Sequence, residues 1–164
     1  MKLKQILSSA AVAATLLCAG AANAALYQFT VSGDYSASWQ LDTDRVPDII
    51  FSGVGITYAD VAGAYPGAVR PLADISFFNE SLGGGLTIED YYGGTYLVVA
   101  DGPQIYSGDE DAPAFATGTY ALTQYQGTGT YSLTVSAVPE PATYGMLLAG
   151  MGLVGAALRR RQGR

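Results

Sequence analysis

Two short acidic clusters are the residues of this sequence best suited to chemistry of their own. Asp42 and Asp44 stand two positions apart, and Asp109, Glu110 and Asp111 are consecutive. Hard cations such as Ca²⁺ require several oxygen ligands that converge on one point. Neither cluster has the longer ligand series and closing Glu of an EF-hand loop. Two interpretations therefore stay open, a weak Ca²⁺ site or an acidic loop in solvent, and no other cofactor is expected.

The residue types that the chain lacks exclude several kinds of catalysis. The sequence has no His, so a Ser-His-Asp triad cannot form. Its one cysteine, Cys18, and its two lysines, Lys2 and Lys4, all lie near the N-terminus. Thiol nucleophiles, cysteine zinc sites and Schiff bases are therefore excluded from the rest of the chain. A pair of carboxylates acting on a glycan is the remaining enzymatic alternative, and we expect a protein that is not an enzyme.

Tyrosines near predicted turns offer a second kind of site. Tyr91, Tyr92, Tyr106 and Tyr125 fall beside Gly-rich segments, where their rings could be exposed. A tyrosine has a flat apolar ring and a polar hydroxyl, which suits stacking on a sugar with carboxylates nearby as hydrogen-bond acceptors. The alternative is ordinary packing in a core or along a strand, so carbohydrate binding is an interpretation that exposure would favour.

The middle of the chain, residues 25–137, is strongly acidic. It holds two arginines against thirteen carboxylates, a net charge of −11. Such a surface repels phosphate backbones, so nucleic acid is excluded as a partner. The same segment holds most of the aromatic residues, whereas acidic disordered segments have few. We therefore expect it to fold.

Short strands with period-two alternation fill this segment. Ala37, Trp39 and Leu41 alternate with polar residues, as do Leu133 and Val135. Glycine-rich turns recur every eight to twelve residues, as in sandwiches and barrels. The fold class predicted is all-β, an antiparallel β-sandwich or jelly-roll-like domain of eight to ten strands. Expected strands cover 26–32, 35–41, 48–52, 55–58, 74–79, 85–89, 95–99, 104–106, 119–123 and 130–135.

A local repeat predicts one hairpin directly. The segment 118–123 (Gly-Thr-Tyr-Ala-Leu-Thr) recurs as 129–134 (Gly-Thr-Tyr-Ser-Leu-Thr), eleven residues later. Gln126, Gly127 and Thr128 lie between the two copies and suit a tight connection. The two copies should therefore be adjacent antiparallel strands.

The first 24 residues have the order of a Sec signal peptide. A short positive region precedes an apolar run from residue 6 to residue 22, and the small residues Ala22 and Ala24 flank Asn23. Signal peptidase requires small residues at these places. We therefore expect export through the Sec translocon and cleavage before Ala25.

The C-terminal segment, residues 138–164, has three parts in a fixed order. A Pro-rich element comes first, an apolar stretch over 143–158 follows, and a basic cluster comes next. The apolar stretch is near the short end of what spans a bilayer as a helix, and the arginines should stay on the cytoplasmic side. The Pro-rich element is Val138, Pro139, Glu140 and Pro141, and the basic cluster is Arg159, Arg160 and Arg161.

This order of parts resembles the PEP-CTERM sorting tail of Gram-negative bacteria, which is also labelled an ice-binding protein C-terminal domain. The resemblance covers residues 138–164 and implies no ice binding. It implies that the tail is a substrate of exosortase, a membrane cysteine transpeptidase that cuts near Pro-Glu-Pro. The expected location is the inner membrane, with the β-domain (residues 25–137) in the periplasm, then the cell surface or exterior after processing.

Three functions remain compatible with that location. The first is a non-enzymatic surface or extracellular-matrix protein associated with exopolysaccharide or the envelope. The second is a carbohydrate- or Ca²⁺-binding module in the periplasm or matrix. The third is a small enzyme that acts on glycans. The sequence favours the first.

Overall fold

The computed structural model describes residues 26–138 and 150–151. The predicted cleavage residues Ala22, Ala24 and Ala25 lie outside the described residues, as do Pro139, Glu140 and Pro141 and the arginines 159–161. The apolar stretch 143–158 lies outside them too, except for Gly150 and Met151. Among the residues that the structure describes, no helix is long and apolar enough to cross a bilayer.

Residues 26–138 form an all-β domain with eleven strands and one short 3₁₀ helix. Each of the ten predicted strands is present, and a further short strand lies at residues 114–115. The strands are β1 (Leu26–Gly33), β2 (Ala37–Asp42), β3 (Ile49–Phe51), β4 (Gly55–Ala64), β5 (Leu72–Phe78), β6 (Leu86–Asp90), β7 (Thr95–Asp101), β8 (Tyr106–Ser107), β9 (Ala114–Phe115), β10 (Gly118–Gln124) and β11 (Thr130–Ala137); the 3₁₀ helix is Glu80–Leu82.

Nine of the strands form one antiparallel sheet in the order β2-β1-β11-β10-β7-β6-β5-β4-β3. A further pairing between β2 and β4 closes eight of them into a barrel-like ring, with β3 attached outside it. The predicted hairpin is confirmed, because β10 pairs with β11 through Thr119–Thr134 and Thr123–Thr130. The repeat in the sequence thus marks two neighbouring strands.

The ring is joined by two short seams. β7 meets β10 through two residue pairs, and β2 meets β4 through Ser38–Ala64 and Trp39–Gly63. Gly63 makes the second seam possible, because a Cβ at this position would lie 2.6 Å from the Ser38 carbonyl oxygen and 2.7 Å from the Tyr65 ring. Backbone approach this close needs a residue without a side chain.

An antiparallel all-β domain is therefore confirmed, whereas a sandwich or jelly roll of two separate sheets is not what the structure has. The two four-stranded halves that such a sandwich would need are present, but they share edges at both seams. Alternation within a strand specifies which face is buried. It carries no information on whether two edges meet, so the closure could not be predicted from it.

The interior of the ring is filled by aromatic and branched side chains. Phe29 is fully buried and stacks on Trp39 at 5.3 Å between ring centroids. Phe115 from β9 meets Phe29 edge-on at 5.1 Å and Phe77 at 4.9 Å. The small β8–β9 hairpin therefore contributes to the main core, since aromatic pairs at these separations add to the energy of burial.

A buried carboxylate connects two loops at one end of the domain. Asp90 is 0% exposed, and its oxygens accept hydrogen bonds from the backbone N–H groups of Val69 and Gly93 at 2.8 and 3.0 Å. The side chain thereby joins the β4–β5 loop to the β6–β7 turn. A buried carboxylate is tolerated when its oxygens are bonded in this way.

Replacing Asp90 by Asn is expected to destabilise the domain. One amide N–H₂ would then face a backbone N–H, which leaves a buried donor unpaired and costs about 2 kcal/mol of unfolding free energy. Urea unfolding followed by the fluorescence of Trp39 measures the loss. Asp111→Asn, at an exposed position, should change the midpoint little, and equal effects of the two variants would contradict the role of Asp90.

Candidate functional site

A groove of about 660 Å³ lies where β2 and β4 separate beyond their short seam. Six residues give it its chemical character, and they come from β1, β2, β4 and the loop between β2 and β3. They are Gln28, Trp39, Gln40, Asp42, Arg45 and Asp60. The groove exists because only two residue pairs close this seam, which leaves the remaining strand edges apart.

Two glutamines form a polar wall of this β2–β4 groove. Gln28 donates through Nε2 to the Trp39 carbonyl oxygen at 2.9 Å, and Gln40 donates to the Gln28 side-chain oxygen at 3.2 Å. Gln28 and Gln40 face each other across β1 and β2. Amide side chains held in this way present directed donors and acceptors, as a ligand with hydroxyl groups requires.

The opposite wall is shaped by a bulge in β4. The register of β4 with β5 shifts between Tyr58 and Val61, and Asp60 has a positive φ of 53°. Arg45 donates to the Ala59 carbonyl oxygen and forms an ion pair with Asp48. The hydrogen bond from Arg45 holds the pKa of Asp48 below its usual range. These contacts fix the bulge and place Asp60 on the groove wall.

An aromatic rim adjoins the groove at Asp60. A hydrogen bond to Asp60 raises the pKa of the Tyr92 hydroxyl. The Arg70 guanidinium lies 4.0 Å from the centre of the Tyr92 ring. The Tyr91 ring packs edge-on against the Tyr92 ring, with 85° between the two ring planes. Tyr91 is 67% exposed, so a flat apolar ring is available beside the polar groove. The rim is therefore Arg70, Tyr91 and Tyr92.

Three polar atoms in the described part of the chain are buried without a hydrogen-bond partner, and two belong to stacked rings near the seam. Trp39 Nε1 and Tyr65 Oη are two of them, with ring centroids 6.2 Å apart, and Tyr58 Oη is the third. Burial raises the pKa of Tyr58 to about 12 and also raises the pKa of Tyr65. Unpaired buried groups are costly, and these three lie on β2, on β4 and at the residue directly after β4.

The buried hydroxyl of Tyr58 predicts a loss of stability in alkali. Its pKa in the folded protein is about 12, whereas an unfolded tyrosine ionises near pH 10. The folded state holds the proton more tightly, so this stabilisation is complete below pH 10 and is lost as pH rises towards 12. Raising the pH from 8 to about 11.5 should therefore lower the unfolding free energy by about 2 kcal/mol through Tyr58.

Urea unfolding at the two pH values checks this expectation. In Tyr58→Phe the unfolding free energy should fall by about 2 kcal/mol less between the two pH values than in the wild type. Tyr125 is exposed, so Tyr125→Phe should behave as the wild type. An identical loss in wild type and Tyr58→Phe would show that another group is responsible.

The two acidic clusters do not converge. Asp42 accepts a hydrogen bond from the backbone N–H of Asp44 at 3.0 Å. Glu110 accepts from the Gly53 N–H through both oxygens and from the Tyr106 hydroxyl. Within residues 26–138 and 150–151, no group of three acidic side chains is placed to hold a metal. Glu110 therefore joins its loop to the β3–β4 turn, and Ca²⁺ binding stays a prediction.

The four tyrosines considered for carbohydrate divide into two groups. Tyr91, Tyr92 and Tyr125 are exposed, as that interpretation requires. Tyr106 is 3% exposed and belongs to the core, so the carbohydrate interpretation does not extend to this residue. Its hydroxyl faces Glu110 at 3.1 Å, which explains why a tyrosine stands at a buried position of β8.

The C-terminal end of the sheet defines where the tail begins. The backbone N–H of Val138 donates to the Leu26 carbonyl oxygen at 2.9 Å, one residue beyond the end of β11. Leu26 is the first residue of β1 and lines the groove. The chain is thus held by the sheet up to the residue that precedes Pro139.

Comparison with protein families places a known motif at this point. The chain carries a PEP-CTERM protein-sorting motif at residues 137–161, which confirms the resemblance seen in the sequence. No curated protein and no solved structure matches the chain. The motif indicates an extracellular or surface protein with exosortase as its processing partner.

Proposed function

We propose that this protein is a non-enzymatic surface or matrix protein that associates with exopolysaccharide through the β2–β4 groove. Its signal peptide is removed before Ala25, and its tail holds it in the inner membrane until exosortase cuts near residues 139–141. The observation that carries the localisation is the PEP-CTERM motif, which starts at Ala137, the last residue of β11. The folded domain and the sorting signal are contiguous.

The chemistry of the groove supports a glycan as the ligand. Its walls present the two amides of Gln28 and Gln40 and the carboxylates of Asp42 and Asp60. The Tyr91 ring on the adjoining rim supplies an exposed apolar face. Alternating hydroxyls and flat C–H faces of a sugar are complementary to this combination, in which a few directed polar groups fix orientation beside an aromatic surface.

A binding role fits the carboxylates better than glycan hydrolysis does. Asp42 and Asp60 line the same groove, but both are exposed to solvent. The general acid of a glycosidase needs a desolvated site that keeps it protonated at neutral pH. The groove offers no such site for either side chain, so we assign no catalytic residue.

Retention on the exopolysaccharide of the producing organism tests this proposal. The double variant Tyr91→Ala and Tyr92→Ala should weaken retention about tenfold, because a contact with an aromatic ring contributes about 0.5–1.5 kcal/mol per ring. Tyr125→Ala is the matched control, since Tyr125 is 51% exposed on the β10–β11 turn, away from the groove. Equal retention of wild type and double variant, or none by the wild type, would contradict the proposal.

A further inference from the structure

An apolar patch lies on β3 and its flanking turns. It consists of five exposed side chains, among which Phe51 is 62% exposed and Val46 59% exposed. Several exposed apolar side chains on one short strand and its turns are uncommon on soluble domains and mark an interaction site. The nearest charge before β3, Asp48, is paired with Arg45. The β3 patch is Val46, Ile49, Ile50, Phe51 and Val54.

The strand pairings place this patch beyond the end of β2. β5 occupies one edge of β4, whereas β2 and β3 share the other edge and both run antiparallel to β4. β2 and β3 therefore run in the same direction, one after the other. Among the described residues, no strand pairs with the outer edge of β3.

β11, the strand that precedes the tail, runs in that same direction. β2 and β11 each pair antiparallel with β1, so they run parallel to each other. Val138 is bonded to Leu26, and Leu26 is paired with Asp42, the last residue of β2. Val138 therefore lies level with the end of β2, and β3 continues past that level along β4.

The reach of the chain between Val138 and the apolar stretch can be compared with the length of β4 beyond the level of Asp42. Residues 139–142 separate Val138 from the apolar stretch and reach at most about 14 Å. Counting along both strands from the Ser38–Ala64 pair places Asp42 level with Asp60. From there β4 extends five further residues to Gly55, and because the bulge between Tyr58 and Val61 shortens this path, it covers roughly 14 Å at the usual rise per residue. A bilayer that holds the tail therefore lies within reach of the β3–β4 hairpin.

We propose that the β3 patch docks on the surface of the bilayer that holds the tail. This inference rests on the proposed function, since it requires the tail to be in the membrane. Phe, Ile and Val side chains on one hairpin suit the boundary between head groups and acyl chains. Glu110 is bonded to Gly53 at the tip of that hairpin and has Asp109 and Asp111 beside it. These carboxylates keep the contact shallow and favour zwitterionic lipid.

Quenching by brominated lipid tests the docking in the full chain. The protein is reconstituted in phosphatidylcholine vesicles with bromine near the carbonyl end of the acyl chains. The Phe51→Trp indole should lose about half of its emission or more, since an interfacial anchor reaches roughly 5–10 Å below the surface. Val69→Trp is the matched control, because Val69 is 71% exposed beyond the other end of β4. Trp39 is buried in the wild-type domain and is present in both variants, so its emission is the common background.

Flotation of the same samples separates the possible failures. Protein that does not float with the vesicles would contradict both the tail anchor and the docking. Protein that floats, with the Phe51→Trp indole quenched no more than the Val69→Trp indole, would overturn the docking and leave the anchor intact. A third outcome is a dimer detected by cross-linking, in which the Phe51→Trp indole is shielded from solvent but is not quenched by the lipid. That outcome would assign the patch to a second copy of the chain and would also overturn the docking.

Discussion

Replacing Pro139, Glu140 and Pro141 together by alanine is expected to abolish release and leave the whole mature protein in the inner membrane. These residues lie within the matched sorting motif, directly after Val138, which the sheet holds through Leu26. Proline disfavours the α conformation of the residue that precedes it, so we expect the motif to offer an extended backbone to a protease. Alanines would remove both the recognition element and this preference for extended backbone.

Fractionation of the producing cells with intact-mass analysis measures the effect. Almost all of the wild-type protein should lack residue 164, and almost all of the triple variant should retain it. Alanines at Gln162, Gly163 and Arg164 form the matched control, because these three tail residues lie outside the matched span of 137–161. Normal release of the triple variant would refute the sorting assignment.

Phe29→Ala is expected to cause one of the large losses of stability that a single substitution in the domain can cause. Phe29 is fully buried and its ring contacts Trp39 and Phe115 at 5.3 and 5.1 Å. Truncation would leave a cavity between strands on both sides of the ring and cost about 3–5 kcal/mol. Domains of this size have roughly 5–15 kcal/mol of unfolding free energy in all, so the variant should lose a large share of its stability and unfold at a much lower urea concentration.

Urea unfolding monitored by Trp39 reports on this site directly, because the indole stacks on Phe29. Phe51→Ala makes the same substitution at an exposed position and should change the unfolding free energy by less than about 0.5 kcal/mol. Similar midpoints for Phe29→Ala and Phe51→Ala would contradict the packing described for the core.

Local patterns account for the part of the fold that could be predicted from the sequence. Trp39 and Leu41 alternate with polar neighbours and are buried, and the repeated Gly-Thr-Tyr segments form the β10–β11 hairpin. β4 continues to Ala64, past the predicted end at Tyr58. Its alternation is interrupted by the bulge at Asp60, where the backbone adopts a positive φ, so a period-two pattern ends before the strand does.

Contacts between distant segments account for what could not be predicted. The groove depends on the Trp39–Gly63 seam, and neither residue carries a local signal of that pairing. Gln28 and Asp60 meet the same groove from strands more than thirty residues apart. The apolar residues of β3 lack alternation because β3 lies outside the closed ring with no buried residue. A run of apolar residues without alternation does not show whether its strand is buried or exposed until the position of the strand in the sheet is known.

The mass of the native protein tests the central claim, export and processing at the sorting motif, most directly. The producing organism is fractionated into inner membrane, outer surface and medium, and intact protein from each fraction is weighed. We predict a species that begins at Ala25, ends near residues 139–141 and occurs outside the inner membrane. A species that still ends at Arg164 and stays in the inner membrane would contradict the claim and make the tail a permanent anchor.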